Sequence, residues 1–289
     1  MYQRNTGRHF CGVHFAADIE SRVADTIKIR HMIITGDRVA VALSGGKDST
    51  ALLLLLAGLL PIWQDVKLIA ITIDEGIAVY REATIRAAEQ LACSLGIEHH
   101  CISFPDLFGD SLDMFLKGRE TQACSICGIL RRKALIVGTR QAGATKLATG
   151  HNLDDEAQSV LMNVLRGDLP RLSRDSSADS SGRFIPRIKP LSRISEKEIA
   201  TYLLLKNAWT ELPECPYTRY ALRREVRSML SVFEYKHPGT MLNLMASKEK
   251  IEHSCAGPVI SSLRSCRTCG DPSSGDLCQV CSLLRSLGR

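Results

Sequence analysis

Six consecutive residues, Ser44, Gly45, Gly46, Lys47, Asp48 and Ser49, combine what a protein needs to hold a phosphate: two glycines, two hydroxyls and a lysine. They stand between an apolar run and a leucine-rich run. A strand-to-helix turn there would aim backbone N–H groups and the positive end of a helix dipole at an anion. The segment is not a Walker A loop, which needs Gly where Val41 stands and Ser or Thr where Asp48 stands. A glycine-rich turn without chemistry is the plainer alternative, and the flanking strand and helix argue against it. Two further polar clusters follow apolar runs: Asp74-Glu75-Gly76, and residues 149–156 with the sequence TGHNLDDE. Gly150 would let an adenine or ribose approach the backbone. Asp154 and Asp155 either cap the next helix or offer a carboxylate to Mg²⁺ and phosphate. His151 reads as a structural hydrogen-bonding residue rather than a base.

The chain has 11 cysteines and no secretory start, which points to metals or catalysis rather than a disulfide framework. Cys124 and Cys127 stand three apart at an expected helix start, followed by Arg131 and Arg132, a setting that predicts depressed thiol pKa values. Cys215 lies between Pro213 and Pro216, in a stiff, non-helical segment. Two cysteines plus one fall short of the four ligands of a structural zinc, but suit a [4Fe–4S] cluster with one open iron able to bind sulfide. A redox pair with an isolated buried thiol is the alternative. Cys266, Cys269, Cys278 and Cys281 form two CxxC knuckles separated by a turn-rich stretch, the pattern of a zinc ribbon. Arg264, Arg267, Arg285 and Arg289 around the knuckles either face RNA phosphates or form a solvated basic surface. Near the start, Cys11 and His14 form a CxxH.

The elements that must position these groups alternate. Residues 38–43, 67–73, 97–104 and 146–149 read as strands, with helices from about residue 48, over 80–95 and from about residue 154. The pattern predicts an α/β fold: a mainly parallel, Rossmann-like sheet that binds ligands beyond the carboxyl ends of its strands, where the polar clusters fall. Residues 168–182, rich in Ser and Asp, read as a surface loop, and helices are expected over 195–206, 220–232 and 240–252. The expected organisation is an N-terminal arm over 1–36, the main domain over 37–235, a helical linker over 236–263 and the ribbon over 264–289. At 289 residues, 45% hydrophobic and 24% charged, the composition is that of a globular protein. The longest apolar run, 51–60, is too short to span a bilayer, so a cytoplasmic protein is expected. A net charge of +6 permits a polyanionic partner without requiring one.

Taken together, SGGKDS, DEGI, CSICGILRR, TGHNLDDEAQSVLMNVLRGD, RIKPL, ECPY, CRTCG and CQVC resemble the TtuA and cytoplasmic tRNA 2-thiolation proteins over nearly the whole chain. These are sulfurtransferases of the PP-loop class of ATP pyrophosphatases, which split ATP between the α and β phosphates. The resemblance implies that Ser44, Gly45, Gly46 and Ser49 bind pyrophosphate, that Lys47 neutralises it and that Asp48 helps hold Mg²⁺. It places further ATP contacts at Ala42, Ile73, Arg131, Gly150 and Asp155, and a [4Fe–4S] cluster on Cys124, Cys127 and Cys215. Lys47, Asp48, Arg131 and the three cysteines are then the catalytic group. The implied reaction adenylates the C2 oxygen of a tRNA uridine, at position 34 by preference or at 54, and replaces that oxygen with sulfur. The implied partners are tRNA, a ubiquitin-like sulfur carrier with a C-terminal thiocarboxylate, and a second copy of the chain. Family members usually begin with a CxxC ahead of their CxxH, completing a second zinc site; here Cys11 and His14 stand without that pair. A cytidine 2-thiolation enzyme shares the loop and the three cysteines, but the ribbon and RIKPL favour the uridine group. A lysidine synthetase shares only the loop. An RNA-binding scaffold with an idle nucleotide site conflicts with the intact loop, Arg131 and both aspartates.

Overall fold

The computed structural model describes residues 1–3, 7–172, 184–220, 223–254 and 264–288. Five strands form one parallel sheet: β1 (Arg38–Ala42), β2 (Lys67–Asp74), β3 (Glu98–Ser103), β4 (Lys146–Ala148) and β5 (Arg187–Ile188), in the spatial order β3-β2-β1-β4-β5. The first four match the sequence expectation to within one or two residues. The fifth does not end the series at 149 as expected; two residues of the RIKPL segment add a strand beside β4, with Leu147 opposite Arg187. Two residues are too few to display a period of two.

β1 is central because both of its faces are apolar. Val39 and Val41 belong to one core layer and Ala40 to the other, and all three are fully buried. On the first face lie α1 (Gly12–Ile29), α2 (Lys47–Leu59), α3 (Arg81–Ser94) and α6 (Glu196–Leu205). α1 contributes Phe15, Ile19, Val23 and Ile27 at helical spacing, while α2 buries Leu52, Leu53, Leu55 and Leu56 between the sheet and its neighbours. The second face is covered by α4 (Ala123–Gln141), through Ile126, Leu130 and Ala134. α5 (Leu153–Leu165) packs apart from both layers, against α7 (Arg223–Lys236) and α8 (Thr240–Ser254), through Val160, Val226, Leu230, Met241 and Met245. The expected loop over 168–182 lies, from residue 173 on, outside the described residues. Among the described residues, no helix is long and apolar enough to cross a membrane.

Asp37 locks the starts of β1 and β4 together. Its carboxylate accepts from the Ile34 N–H at 2.8 Å and the Thr145 hydroxyl at 2.7 Å, and lies 2.8 Å from Lys146 Nζ. Burial pushes the Asp37 carboxyl up, but Lys146 and the two hydrogen-bond donors outweigh it and hold the group below its ordinary range. A carboxyl depressed in the folded state stabilises above its unfolded pKa, about 3.9, and loses that contribution as pH falls toward the folded value. Asp37→Ala should cost about 3 kcal/mol in urea unfolding at pH 7, because it leaves a mostly buried Lys146 without its anion. The difference from wild type should shrink below pH 4, where protonation removes the same charge pair.

Candidate nucleotide and thiol site

The sheet order reverses between β1 and β4, and ligands of open parallel sheets bind beyond the carboxyl ends of the strands at that point. The loop leaving β1 lies there. Gly45 has φ +85°, and a Cβ on it would fall 2.1 Å from the carbonyl oxygen of Thr84. Only glycine fits. The loop braces itself: Ser44 N–H donates to Ser49 Oγ at 3.1 Å, Ser49 Oγ donates to the Gly46 carbonyl at 2.8 Å, and Gly46 N–H lies 3.3 Å from Ser44 Oγ. Gly46 caps α2 without a side chain, so the N–H groups of the first turn keep room for an anion.

Lys47 projects from that turn between two carboxylates, 2.9 Å from Asp48 Oδ2 and 3.0 Å from Glu196 Oε1. Burial pushes its ammonium down, and the two carboxylates more than restore it, leaving its pKa above the ordinary lysine value. Asp48 also accepts from Asn152 Nδ2 at 3.0 Å. Gly150 packs against the same corner, where a Cβ would stand 3.0 Å from the Asp48 carbonyl carbon. Ala42 and Ile73 end or nearly end their strands on this edge, and the Ile73 carbonyl accepts from Arg81.

The two aspartates after Gly150 have separate local partners. Asp155 forms a reciprocal cap with Asn152, with its N–H donating to Asn152 Oδ1 at 2.9 Å, and Arg223 lies 3.7 Å from its carboxylate. Asp154 accepts from the N–H of Glu196 at 2.8 Å, at the start of α6, and burial pushes its carboxyl up. His151 bonds Thr149 Oγ1 at 2.9 Å; burial and then Lys189 push its imidazole down, as suits a neutral structural histidine.

The thiols approach from α4. Cys124 and Cys127 sit in its first turns, Cys124 exposed and Cys127 buried. Half-buried Cys215 and Tyr217 pack against the apolar cluster that contains Cys127, and Cys124 Sγ lies 3.9 Å from the Tyr217 carbonyl. At Cys127 the expected depression is not met. Burial pushes Cys127 up to about 11, against the pull of Arg131, and raises Cys215 as well. Arg131 does turn toward the thiols, donating to Cys127 Sγ at 3.2 Å, and its Nε donates to Glu75 Oε1 at 2.6 Å. Among the described residues, the three cysteines are not part of any group closing around a single ion. Three thiol donors are the number that a [4Fe–4S] cluster with one iron free of cysteine would take.

The four cysteines of the C-terminal knuckles do close, with all four sulfurs within 4.8 Å of one another, so this group could hold a metal. Their small two-stranded element pairs Arg264 with Ser273, and Cys278 caps α9 (Gln279–Ser286). The ribbon is seated on the thiol helix. Asp271 pairs with Lys133 and Arg140 of α4, and Val280, Leu283 and Leu284 pack onto the cluster holding Cys127 and Leu130. Of the basic residues around it, Arg264 and Arg267 both pair with Asp276, Arg285 is exposed, and Arg289 lies outside the described residues. Cys11 and His14 also meet, Sγ to Nδ1 at 3.0 Å, but no third Cys, His, Asp or Glu joins them in a metal group among the described residues.

Sequence reasoning passes over Glu75, Arg81, Asn152 and Glu196 as individual site residues. Glu75 and Asn152 lie inside motifs singled out above. Glu196 carries no local signal, since its partner Lys47 is far along the chain, and Arg81, although bonded to nearby Ile73 and Thr84, sits at an ordinary helix start with no motif to mark it.

A family model described as the PP-loop domain matches residues 16–230. The tRNA 2-thiolation protein NcsA of Haloferax volcanii is 36% identical over 307 residues, covering 99% of this chain and 96% of that protein. Cytoplasmic tRNA 2-thiolation protein 1 of Mus musculus is 37% identical, over 98% of this chain and 69% of its own length. Among solved structures, the U34-tRNA thiolase NcsA from Methanococcus maripaludis, with its [4Fe–4S] cluster, superposes with a TM-score of 0.87 at 32% identity, covering 100% of this chain and 93% of that one.

Proposed function

This chain belongs to the PP-loop family of tRNA 2-thiolation sulfurtransferases, and from that premise we propose that it replaces the C2 oxygen of a tRNA uridine with sulfur after activating it with ATP. The C2 oxygen attacks the α-phosphorus of ATP, pyrophosphate leaves, and the oxygen becomes part of an AMP leaving group. Sulfide then bonds to C2 as AMP departs, so that ATP, uridine and sulfide become AMP, pyrophosphate and 2-thiouridine. Ser44, Gly45, Gly46 and Ser49 receive the pyrophosphate, and Lys47 with Arg131 offsets its charge. Positioning and charge neutralisation carry most of the acceleration in such chemistry. Ala42, Ile73 and Gly150 form the backbone edge against the nucleoside. Asp48 and Asp155 offer carboxylates to Mg²⁺.

Cys124, Cys127 and Cys215 would hold the [4Fe–4S] cluster, which when bound supplies an iron free of cysteine that can carry sulfur. Cys266, Cys269, Cys278 and Cys281 would hold zinc and keep the ribbon folded on α4. Cys11 and His14 supply two donors toward a second zinc, short of a complete set. Position 34 is the favoured target because the structural relative with the cluster is a U34 thiolase. A cytoplasmic setting, a thiocarboxylated ubiquitin-like sulfur donor and a homodimer complete the reading.

The observation that carries it is the meeting of the two chemistries through Arg131, which touches Cys127 Sγ and, through Glu75 and Arg81, is linked to the phosphate loop. The test is anaerobic turnover on a tRNA transcript, with pyrophosphate measured and nucleosides resolved by mass spectrometry. Pyrophosphate release should require tRNA, and 2-thiouridine should appear at position 34 and vanish when that uridine is replaced. Sulfur at position 54 would reassign the target. Pyrophosphate release indifferent to tRNA, with no thiolated base, would overturn the reading.

A further inference from the structure

Glu75 is 2% exposed, yet two arginines reach it, one at each carboxylate oxygen. Arg81 Nε lies 2.7 Å from Oε2, and Arg131 Nε lies 2.6 Å from Oε1. The Arg131 contact is a directed hydrogen bond, whereas the Arg81 contact is a charge contact without hydrogen-bond alignment. The arginines end in different places. Arg81 donates to the Ser44 carbonyl at 3.2 Å and to Thr84 Oγ1 at 2.9 Å, and also to the Ile73 carbonyl, so it is fastened to the phosphate loop and to the end of β2. Arg131 ends on Cys127 Sγ at 3.2 Å. A continuous polar chain therefore runs from Ser44 through Arg81, Glu75 and Arg131 to Cys127. Desolvating such a triad is expensive, and well-packed apolar residues often serve stability as well. Stability alone gives no reason for it.

We propose that Glu75 is a positioning residue that couples the phosphate loop to the thiol site. It holds Arg81 against the loop and Arg131 against Cys127 in one frame, so that nucleotide bound at residues 44–49 is felt at the Cys127 thiol. Nucleotide seated on the loop shifts the Ser44 carbonyl that Arg81 holds, and Arg81 and Arg131 share the Glu75 carboxylate, so a shift of one guanidinium is passed to the other. Any movement of the Arg131 guanidinium changes the hydrogen bond on Cys127. The inference rests on the reading that the loop binds ATP.

The test uses full-length protein freed of its cluster. Iodoacetamide labelling of Cys127 is followed by peptide mass spectrometry with and without α,β-methylene-ATP and Mg²⁺, and calorimetry measures nucleotide binding in the same samples. In wild type, nucleotide should change the labelling rate by about fivefold or more, the lower range of coupling between sites. Glu75→Gln keeps the shape and removes the charge; it should still bind nucleotide while Cys127 labels at one rate in both conditions. Arg81→Gln breaks the chain on the loop side, leaves the Glu75–Arg131 pair in place, and should lose the response in the same way, including where Glu75→Gln does not fold. A folded Glu75→Gln protein with the wild-type response, or a wild type that binds nucleotide without a change at Cys127, overturns the coupling alone. Wild-type protein that binds no nucleotide overturns it together with the ATP reading.

Discussion

Cys215→Ala protein is expected to lose 2-thiouridine formation by about 10³-fold or more, as when one member of a catalytic unit is removed, while still releasing pyrophosphate in the presence of tRNA. The two readouts part because the residues divide. Cys215 approaches α4 from a separate segment and packs with Cys127, whereas the phosphate loop is braced by Ser44, Ser49 and Arg81, none of which bonds Cys215. The half-buried thiol leaves little packing to lose, so the variant should unfold at nearly the wild-type urea concentration. Anaerobically purified wild type should absorb broadly in the visible, and the variant should not. Full thiolation by cluster-free protein would instead favour a persulfide route through Cys127 or Cys215.

Cys215 also marks the limit of what local pattern can say. The loop at residues 44–49 is legible because a doubly buried strand, two glycines and a leucine-rich helix follow one another within about twenty residues, and each constrains the next. The four ribbon cysteines are legible for the same reason, their geometry being set by two short turns. Cys215 stands 88 positions after Cys127, with no periodicity to join them, and only the fold brings its segment to α4. Glu196 meets Lys47 across 149 positions, farther still. The missed depression of the Cys127 thiol has a different origin. A nearby arginine can be read from the sequence, whereas the degree of burial depends on α4, Cys215 and the seated ribbon together, and at Cys127 burial outweighs the guanidinium. A strand of two residues, Arg187–Ile188, is defined only by the partner it pairs with.

Gly45→Ala is expected to cost about 10²-fold in kcat/KM for ATP, the loss that misplacement of a site by about an ångström produces. Two effects act on the one methyl group. A non-glycine residue at φ +85° carries left-handed strain of about 1 kcal/mol, and the new Cβ would stand 2.1 Å from the Thr84 carbonyl oxygen. That oxygen belongs to the backbone of α3 and cannot rotate away, so the loop itself must shift, taking the Ser44 carbonyl off Arg81 and the α2 N-terminus off the phosphate. Strain and overlap together should destabilise the fold by about 2–4 kcal/mol. Gly58→Ala separates this from a general effect of adding a methyl group. Gly58 lies on α2 with nothing within 4 Å of its would-be Cβ, so alanine should stabilise the helix by about 0.5–1 kcal/mol and leave turnover unchanged. Steady-state pyrophosphate release and urea unfolding on both variants make the comparison. If Gly45→Ala turned over ATP at the wild-type rate, the loop could not be the pyrophosphate cradle, because no placement of that methyl group leaves the loop where it is.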